Sequence, residues 1–313
     1  MKRTFKSAGM AALMVMAAHV GPALAEYPER PVTIILPWPP GDADDQLLRL
    51  ITEEFAKQTG VPAKVVNRPC GYGIEGAAAF AASPADGYTV GALIIDHMTS
   101  YLQQDIVPYA ADDMEVVGIF MNFPFILAAR KDAPYSNLSE LAEYAKTHDV
   151  GLAHFGFESI PAQQTFEAAR QLGFEFTTET GYDITDCTTL ANGDADVMNA
   201  TVGWVLPCLA DLKVIAAFTA EPIPLVPDAP LLSDQVEGPQ ITLWSGIFVP
   251  KGTPVEIKAK LAEIAEAAIN SDRAKEISAN TGTEVYWQGA EEAQARIDAD
   301  FVAVKDLFAK IKR

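Results

Sequence analysis

The sequence is short of positive charge: 23 Lys and Arg stand against 42 Asp and Glu, a formal net charge of −19. No stretch beyond the first residues gathers Lys and Arg into a stripe. That argues against nucleic acid as a partner, because phosphate binding needs such clustering. Anionic membrane surfaces are disfavoured for the same reason. Cysteine is scarce as well. Cys70, Cys187 and Cys208 make no CxxC or Cys/His spacing, so nothing points to a zinc site. Of the histidines, His97 and His148 have no partner at catalytic or ligating spacing. Nucleophile elbow, P-loop and metal motifs are missing. So are internal repeats, low-complexity linkers and any apolar run of the ~20 residues that span a bilayer.

What is present suits a globular protein. Of 313 residues, 49% are hydrophobic and only 21% charged, enough for a sizeable core. A single core stops growing near ~250–300 residues, so two lobes are expected. The first 25 residues read as a secretory signal. Lys2, Arg3 and Lys6 precede an apolar run from Ala8 to Val20, and Ala23-Leu24-Ala25 gives a small-x-small cleavage site. The mature chain is expected to start at Glu26 in the periplasm, its charge moved from −19 to about −22 by the loss of three basic residues. An odd cysteine count allows one internal bridge at most. Cys187 and Cys208 lie closest and are the plausible pair; two buried free thiols are the alternative.

Along the mature chain, short β-rich runs alternate with helical patterns, which predicts α/β layers with mostly parallel sheets. Pro31–Leu36 is an apolar strand ending in the rigid turn Pro37-Trp38-Pro39-Pro40-Gly41. A helix follows, with Leu47, Leu48, Ile51 and Phe55 on one stripe. Further strands are expected at 63–66, 88–95, 116–120, 125–128, 150–153, 196–199, 213–218 and 246–249, and helices at 137–147 and 162–172. Near the end, Thr253-Pro254-Val255-Glu256 predicts an N-cap threonine, a proline at the first helical position and a capping box. A last helix is expected over about 291–310. The Pro-rich stretch 221–230 reads as a long surface loop.

Several segments, in order over the mature chain, resemble the Bug receptor family, the solute-binding proteins of tripartite tricarboxylate transporters. They are Tyr27-Pro28-x-Arg30-Pro31-Val32; Pro37-Trp38-Pro39-Pro40-Gly41 with Asp45 and Arg49; Asn67-Arg68-Pro69 with Gly73 and Gly76; and Pro84-Ala85-Asp86-Gly87-Tyr88-Thr89. Gly193-Asp194-Ala195-Asp196-Val197-Met198, Trp244-Ser245-Gly246 and Pro250-Lys251-Gly252-Thr253-Pro254 complete the set. The resemblance implies a two-lobed periplasmic binding protein of type II-like α/β fold, with crossing strands as hinge. It implies residues 26–122 plus 247–313 in the first lobe and 123–246 in the second. It also implies a small-molecule solute, membrane transporter subunits as partners, a monomer, and no cofactor.

In that family, ligand carboxylates are held by the first strand-to-helix loop and by a Gly/Ser-rich loop opening the second lobe. Free N–H groups at helix starts favour an anion there. Both loops differ here. The first is Gly41-Asp42-Ala43-Asp44-Asp45, with Asp42 in place of a glycine and Asp44 in place of a neutral residue. The second is Ala153-His154-Phe155-Gly156-Phe157-Glu158-Ser159, its second glycine become Glu158. Asp183, after Tyr182, stands where the family commonly has lysine. Each change makes the expected cleft more negative.

One aspartate at a helix start is simply an N-cap, and a cap or first-turn dipole role suffices for Asp45 alone. Three within four residues exceed that need, so the cluster is either exposed and solvated or meets a cationic group. Trp38, Phe155 and Phe157 fall on the same loops and offer ring faces to an ammonium or guanidinium, unless they pack in the core or line the lobe interface. The expected ligand set is therefore Trp38, Gly41, Asp42, Asp44, Asp45, His154, Phe155, Gly156, Phe157, Glu158, Ser159, Tyr182 and Asp183. The expected ligand is a cationic or zwitterionic solute, the alternative a di- or tricarboxylate, bridged by a metal or not. Rival classes are a calcium site on Asp42, Asp44 and Asp45, which lacks EF-hand spacing, and the ligand-binding subunit of a membrane sensor. A hydrolytic enzyme built on Asp residues and His154 is the third.

Overall fold

The computed structural model describes residues 27–238 and 241–311. The expected signal segment and its cleavage point lie outside them.

The strand β1 (Val32–Leu36) forms where β-branched residues follow Pro31. The helix Ala43–Thr59 then starts on Asp42, whose side chain accepts from the amides of Asp44 and Asp45, and stops at Gly60 in a left-handed conformation. Its leucine stripe and Phe55 are buried. Next come β2 (Ala63–Asn67), the helix Ile74–Ala81, β3 (Thr89–Ile94) and β4 (Met114–Asn122). The chain crosses at Phe123-Pro124 into β5 (Phe125–Arg130), β6 (Gly151–His154), β7 (Thr178–Gly181), β8 (Val197–Thr201) and β9 (Leu212–Ala217). It returns to β10 (Trp244–Pro250) and β11 (Glu284–Gly289). The helix Ile160–Leu172 belongs to the second group of strands; Val255–Ile269, Asp272–Thr281 and Ala290–Phe308 belong to the first.

Two sheets result. The six-stranded sheet has the order β11-β4-β10-β3-β1-β2, and the five-stranded sheet β7-β6-β8-β5-β9. Both are mixed, which corrects the expectation of mostly parallel sheets. Among the strands of the described residues, only β1 with β2 and β3, and β6 with β7 and β8, pair in parallel. The strands flanking each crossing enter antiparallel: β10 runs against β3 and β4, and β5 against β8 and β9. All of β10 lies in the first sheet, so the return crossing precedes Trp244. The two crossings run side by side, with the Phe123 N–H donating to Leu243 O at 2.8 Å.

Two local expectations need correction. Thr253 does not cap the helix after it; its hydroxyl donates to Pro250 O, and Pro254 itself takes the cap position. The strands β7 and β11 went unanticipated, β7 because its residues Thr-Glu-Thr-Gly are exposed and carry no apolar period. Of the two options for the cysteines, the structure has the bridge: the sulfurs of Cys187 and Cys208 are 2.09 Å apart, and Cys70 is free and exposed. Trp244 is structural, fully buried and donating from Nε1 to Asp300 at 2.8 Å.

Candidate functional site

Between the sheets, at the carboxyl ends of β1 and β3, lies a partly open cavity of about 40 Å³. Ligands of open α/β sheets collect at such strand ends. Its floor is the pair of crossings, through Phe123, Phe125 and Leu243. Trp38, Pro39 and Asp42 close one side from the loop after β1; Phe155, Ser159 and Pro161 close the other from the loop after β6. Asp183, Thr201 and Trp204 complete the second-lobe wall, and Asp96 and Tyr101 the first. Phe123, Phe125 and Phe155 form a chain of edge-to-face rings, centroids 5.9 and 5.5 Å apart.

The three clustered aspartates are buried, not solvated, and each does something different. Asp42, 7% exposed, is the helix N-cap through Oδ1, at 3.0 and 3.3 Å from the amides of Asp44 and Asp45. The residue also lines the cavity. Asp45 turns away, bound by Arg49, by Asn67 Nδ2 at 3.1 Å and by the Gly41 amide at 3.2 Å. Gly41 needs its glycine for this turn, with φ at +118°. Asp44 points behind the cavity, where Oδ2 accepts from Ser245 Oγ at 3.0 Å. Its Oδ1 is buried without a hydrogen-bond partner among the described residues.

Burial sets the charge states. It pushes the Asp42 carboxyl up to about 6, against the pull of the two capped amides. It pushes Asp96 up to about 6 as well, opposed by the Ile160 amide and the Ser100 hydroxyl. Asp44 is raised well above the usual range by burial and then by neighbouring Asp42. His97 is held down at about 3 by burial, so it is neutral. Two further polar atoms on cavity-lining residues, Trp38 Nε1 and Thr201 Oγ1, are buried without a partner among the described residues. Such groups cost free energy unless something bonds them.

Of the expected ligand set, the structure brings Trp38, Asp42, Phe155, Ser159 and Asp183 to the cavity. The remainder lie elsewhere. Gly41, Asp44 and Asp45 shape the loop behind Asp42. His154 Nδ1 accepts from the Gly156 amide at 3.1 Å, and its Nε2 lies 3.6 Å from Glu179, away from the cleft. Gly156, at φ +97°, faces the ring of Tyr72 from the other lobe, which a Cβ at this position would meet at 3.4 Å. Phe157 packs on Phe166, centroids 5.2 Å apart, along an open furrow that Lys310 and Ile311, after the last helix, also line. Glu158 does not line the cavity; its charge faces Tyr72 and Tyr101. Tyr182 is fixed by its backbone, donating to His154 O at 2.8 Å.

Sequence reading missed Asp96, Tyr101, Phe123, Phe125, Thr201 and Trp204. Only Asp96 left a trace: a charged residue ending the apolar run Val90–Ile95, at the carboxyl end of a strand.

A family model described as "Tripartite tricarboxylate transporter family receptor" matches residues 47–311. A UPF0065 protein of Agrobacterium vitis is 27% identical over 93% of this chain and 86% of its own length. BugT of Bordetella pertussis is 24% identical over 82% of this chain and 81% of its own. Among solved structures, the periplasmic binding protein BugD superposes with a TM-score of 0.80 at 25% identity, covering 91% of this chain and 98% of that one. MatC of Rhodopseudomonas palustris, solved with bound malate, does so at 0.80 and 27%, covering 90% and 99%. A further R. palustris protein, solved with adipate, has the same fold at 0.80 and 23%, covering 90% and 97%. With its two lobes, the cleft between them and this match over most of its length, the chain belongs to the tripartite tricarboxylate transporter receptor family of solute-binding proteins.

Proposed function

We propose that this receptor works in the periplasm, after cleavage behind Ala25, and captures a small organic cation or zwitterion such as an amine, betaine or amino-acid-like solute. The two lobes, one built on each sheet with the return crossing ahead of Trp244, close on the ligand, and a monomer hands it to the membrane subunits without a covalent step. One observation carries the ligand class. The cavity is lined by three carboxylates, Asp42, Asp96 and Asp183, and by six aromatic rings, while none of its described lining residues carries a positive charge.

The physics favours a cation there. An anionic head 4 Å from one such carboxylate meets ~4 kcal/mol of repulsion at an effective dielectric of 20, about a thousandfold in affinity. An ammonium gains by the opposite sign, less its desolvation, and ring faces add ~0.5–2 kcal/mol. Burial that raises Asp42 and Asp96 is relieved by a bound cation. The Trp38 N–H and Thr201 hydroxyl, without partners among the described residues, are donors that a polar or carboxylate end could take up, which suits a zwitterion.

A second reading, a dicarboxylate ligand, is supported by the malate in MatC and the adipate in the other R. palustris protein. A thermal-shift screen of the purified mature protein separates the two, with amino acids, betaines, polyamines, di- and tricarboxylates and divalent metals as the library. Ligand at 100 times its dissociation constant adds ~2.7 kcal/mol, a plain upward shift. Tight, metal-independent binding of a simple dicarboxylate defeats the cationic reading and leaves the receptor role standing.

A further inference from the structure

The helix Ile160–Leu172 opens at the cleft, and its first turn is provided for from outside its own lobe. Ser159, at the cap position, makes no side-chain cap; its hydroxyl donates to Gly156 O at 2.8 Å instead. Pro161 brings no N–H to the first turn. The Ile160 N–H is taken by Asp96 Oδ1 at 2.8 Å, across the junction from the six-stranded lobe. The same oxygen accepts from Ser100 Oγ at 2.8 Å, which holds the carboxyl in place. Asp96 is 1% exposed and stands on the cavity wall. A helix start with a free amide is where an anion settles in a cleft of this kind. Here the chain supplies that anion itself.

We propose that Asp96 determines specificity: it occupies the start of the helix Ile160–Leu172 with the protein's own carboxylate, which bars a ligand carboxylate from that helix and lets the lobes join without one. A second contact across the junction has the same character. The Tyr72 amide donates to Asp183 Oδ1 at 3.3 Å, while the Tyr72 ring covers Gly156 and its hydroxyl approaches Gly181 so closely that a Cβ there would stand 2.6 Å away. Both joints are therefore made by a first-lobe group meeting a second-lobe group directly, with a carboxylate on one side of each. A ligand in this cleft has no anionic role left to fill at the helix start.

The proposal rests on the cavity being the ligand site, but not on which cation binds there. Its test uses the mature full chain, with malate and adipate as dicarboxylate probes and choline and arginine as cationic ones. Asp96→Ala empties the helix start; Asp96→Asn keeps an acceptor for Ile160 but removes the charge. Titration calorimetry should show dicarboxylate affinity rising at least tenfold over wild type in Asp96→Ala, and several-fold in Asp96→Asn. Small-angle scattering of the ligand-free protein should show Asp96→Ala less compact than wild type and Asp96→Asn unchanged. A folded Asp96→Ala with dicarboxylate affinity within twofold of wild type and unchanged compactness overturns the proposal. Should Asp96→Ala fail to fold, Asp96→Asn decides alone: a several-fold dicarboxylate gain supports it, and none overturns it. The wild-type response to choline and arginine is read separately and bears only on the cationic reading.

Discussion

Arg49 holds Asp45 with two hydrogen bonds of 2.9 Å, from Nε to Oδ2 and from Nη2 to Oδ1. The pair is closed off from the cavity, and through Asn67, which also donates to Trp38 O at 2.9 Å, it fixes the loop that carries Trp38 and Asp42. Two aspartates three residues apart thus divide the work. Asp45 builds the loop and Asp42 faces the cleft.

That division is testable by substitution. Asp45→Ala removes the partner of a half-exposed arginine and should lower stability by about 1–2 kcal/mol, discounted for the solvent that reaches Arg49. Asp42→Gly keeps a residue tolerated at the cap, so it should lower stability by only a few tenths of a kcal/mol. Its effect should instead be on binding, weakening a cation at least tenfold and easing entry of a dicarboxylate. Urea denaturation and calorimetric titration of both variants check this; a binding loss confined to Asp45→Ala would assign the roles the other way.

Trp38 offers a sharper probe, because its indole N–H is buried on a cavity-lining residue with no partner among the described residues. Trp38→Phe keeps a ring and deletes the donor. The melting temperature should hold or rise, and affinity for a zwitterionic ligand should fall about three- to tenfold, one hydrogen bond's worth. An unchanged affinity would mean that the ligand does not reach the indole edge.

Acidity gives a signed expectation. Burial raises the Asp42 and Asp96 carboxyls to about 6, from 3.8 in an unfolded chain. Between those values the folded protein holds more protons than the unfolded one, so these two groups make stability fall as pH rises through about 4 to 6. At pH 7 they oppose folding; below about pH 4 they do not. Asp42→Asn and Asp96→Asn should therefore gain stability relative to wild type at pH 7, and less at pH 5. Asp44 and Asp45 beside Asp42, and Tyr101 beside Asp96, are the neighbouring ionisable groups to hold constant. Binding runs the other way, since protonation removes the charge a cation needs. Affinity should drop about tenfold per carboxylate used between pH 7 and pH 5, and a rise in cation affinity on acidification would refute it.

The bridge between Cys187 and Cys208 closes a loop with a sequence separation of 21 residues. A loop of that length restricts the unfolded chain by ~3 kcal/mol. It ties the helix Cys187–Ala191, at the loop after β7, to the turn Leu206–Asp211 after β8, next to the Trp204 wall of the cavity. Replacing both cysteines by alanine should lower the melting temperature by several degrees, and adding reductant to that variant should change nothing further. A variant as stable as wild type would show the bridge to be dispensable.

The sequence made the layers legible where apolar residues kept one period over a whole element. Val32–Leu36, the stripe of Ala43–Thr59 and the last helix all fall within a residue or two of expectation. It left β7 illegible, because that strand's pairing comes from its neighbour β6 and not from its own residues. The mixed sheets were likewise out of reach, since strand direction at a crossing depends on partners more than a hundred residues away, as with β4 and β10. In the cleft, the loops after β1 and β6 were located through the family resemblance, but the orientation of their side chains was not. Phe155 and Phe157 are two apart and face opposite ways, one onto Phe125 and the other onto Phe166. Asp96 was hidden by its surroundings: an acid within Ile94-Ile95-Asp96-His97-Met98 has no local reason to matter until the second lobe's Ile160 is brought against it.

Phe123 and Leu243 sit on the two crossing segments, are bonded to each other, and both form the cavity floor. If the cavity holds the cargo as proposed, the axle of the molecule and the seat of that cargo are made from the same residues. A passenger in that seat would press on the axle directly, with no relay between its bulk and the angle of the halves.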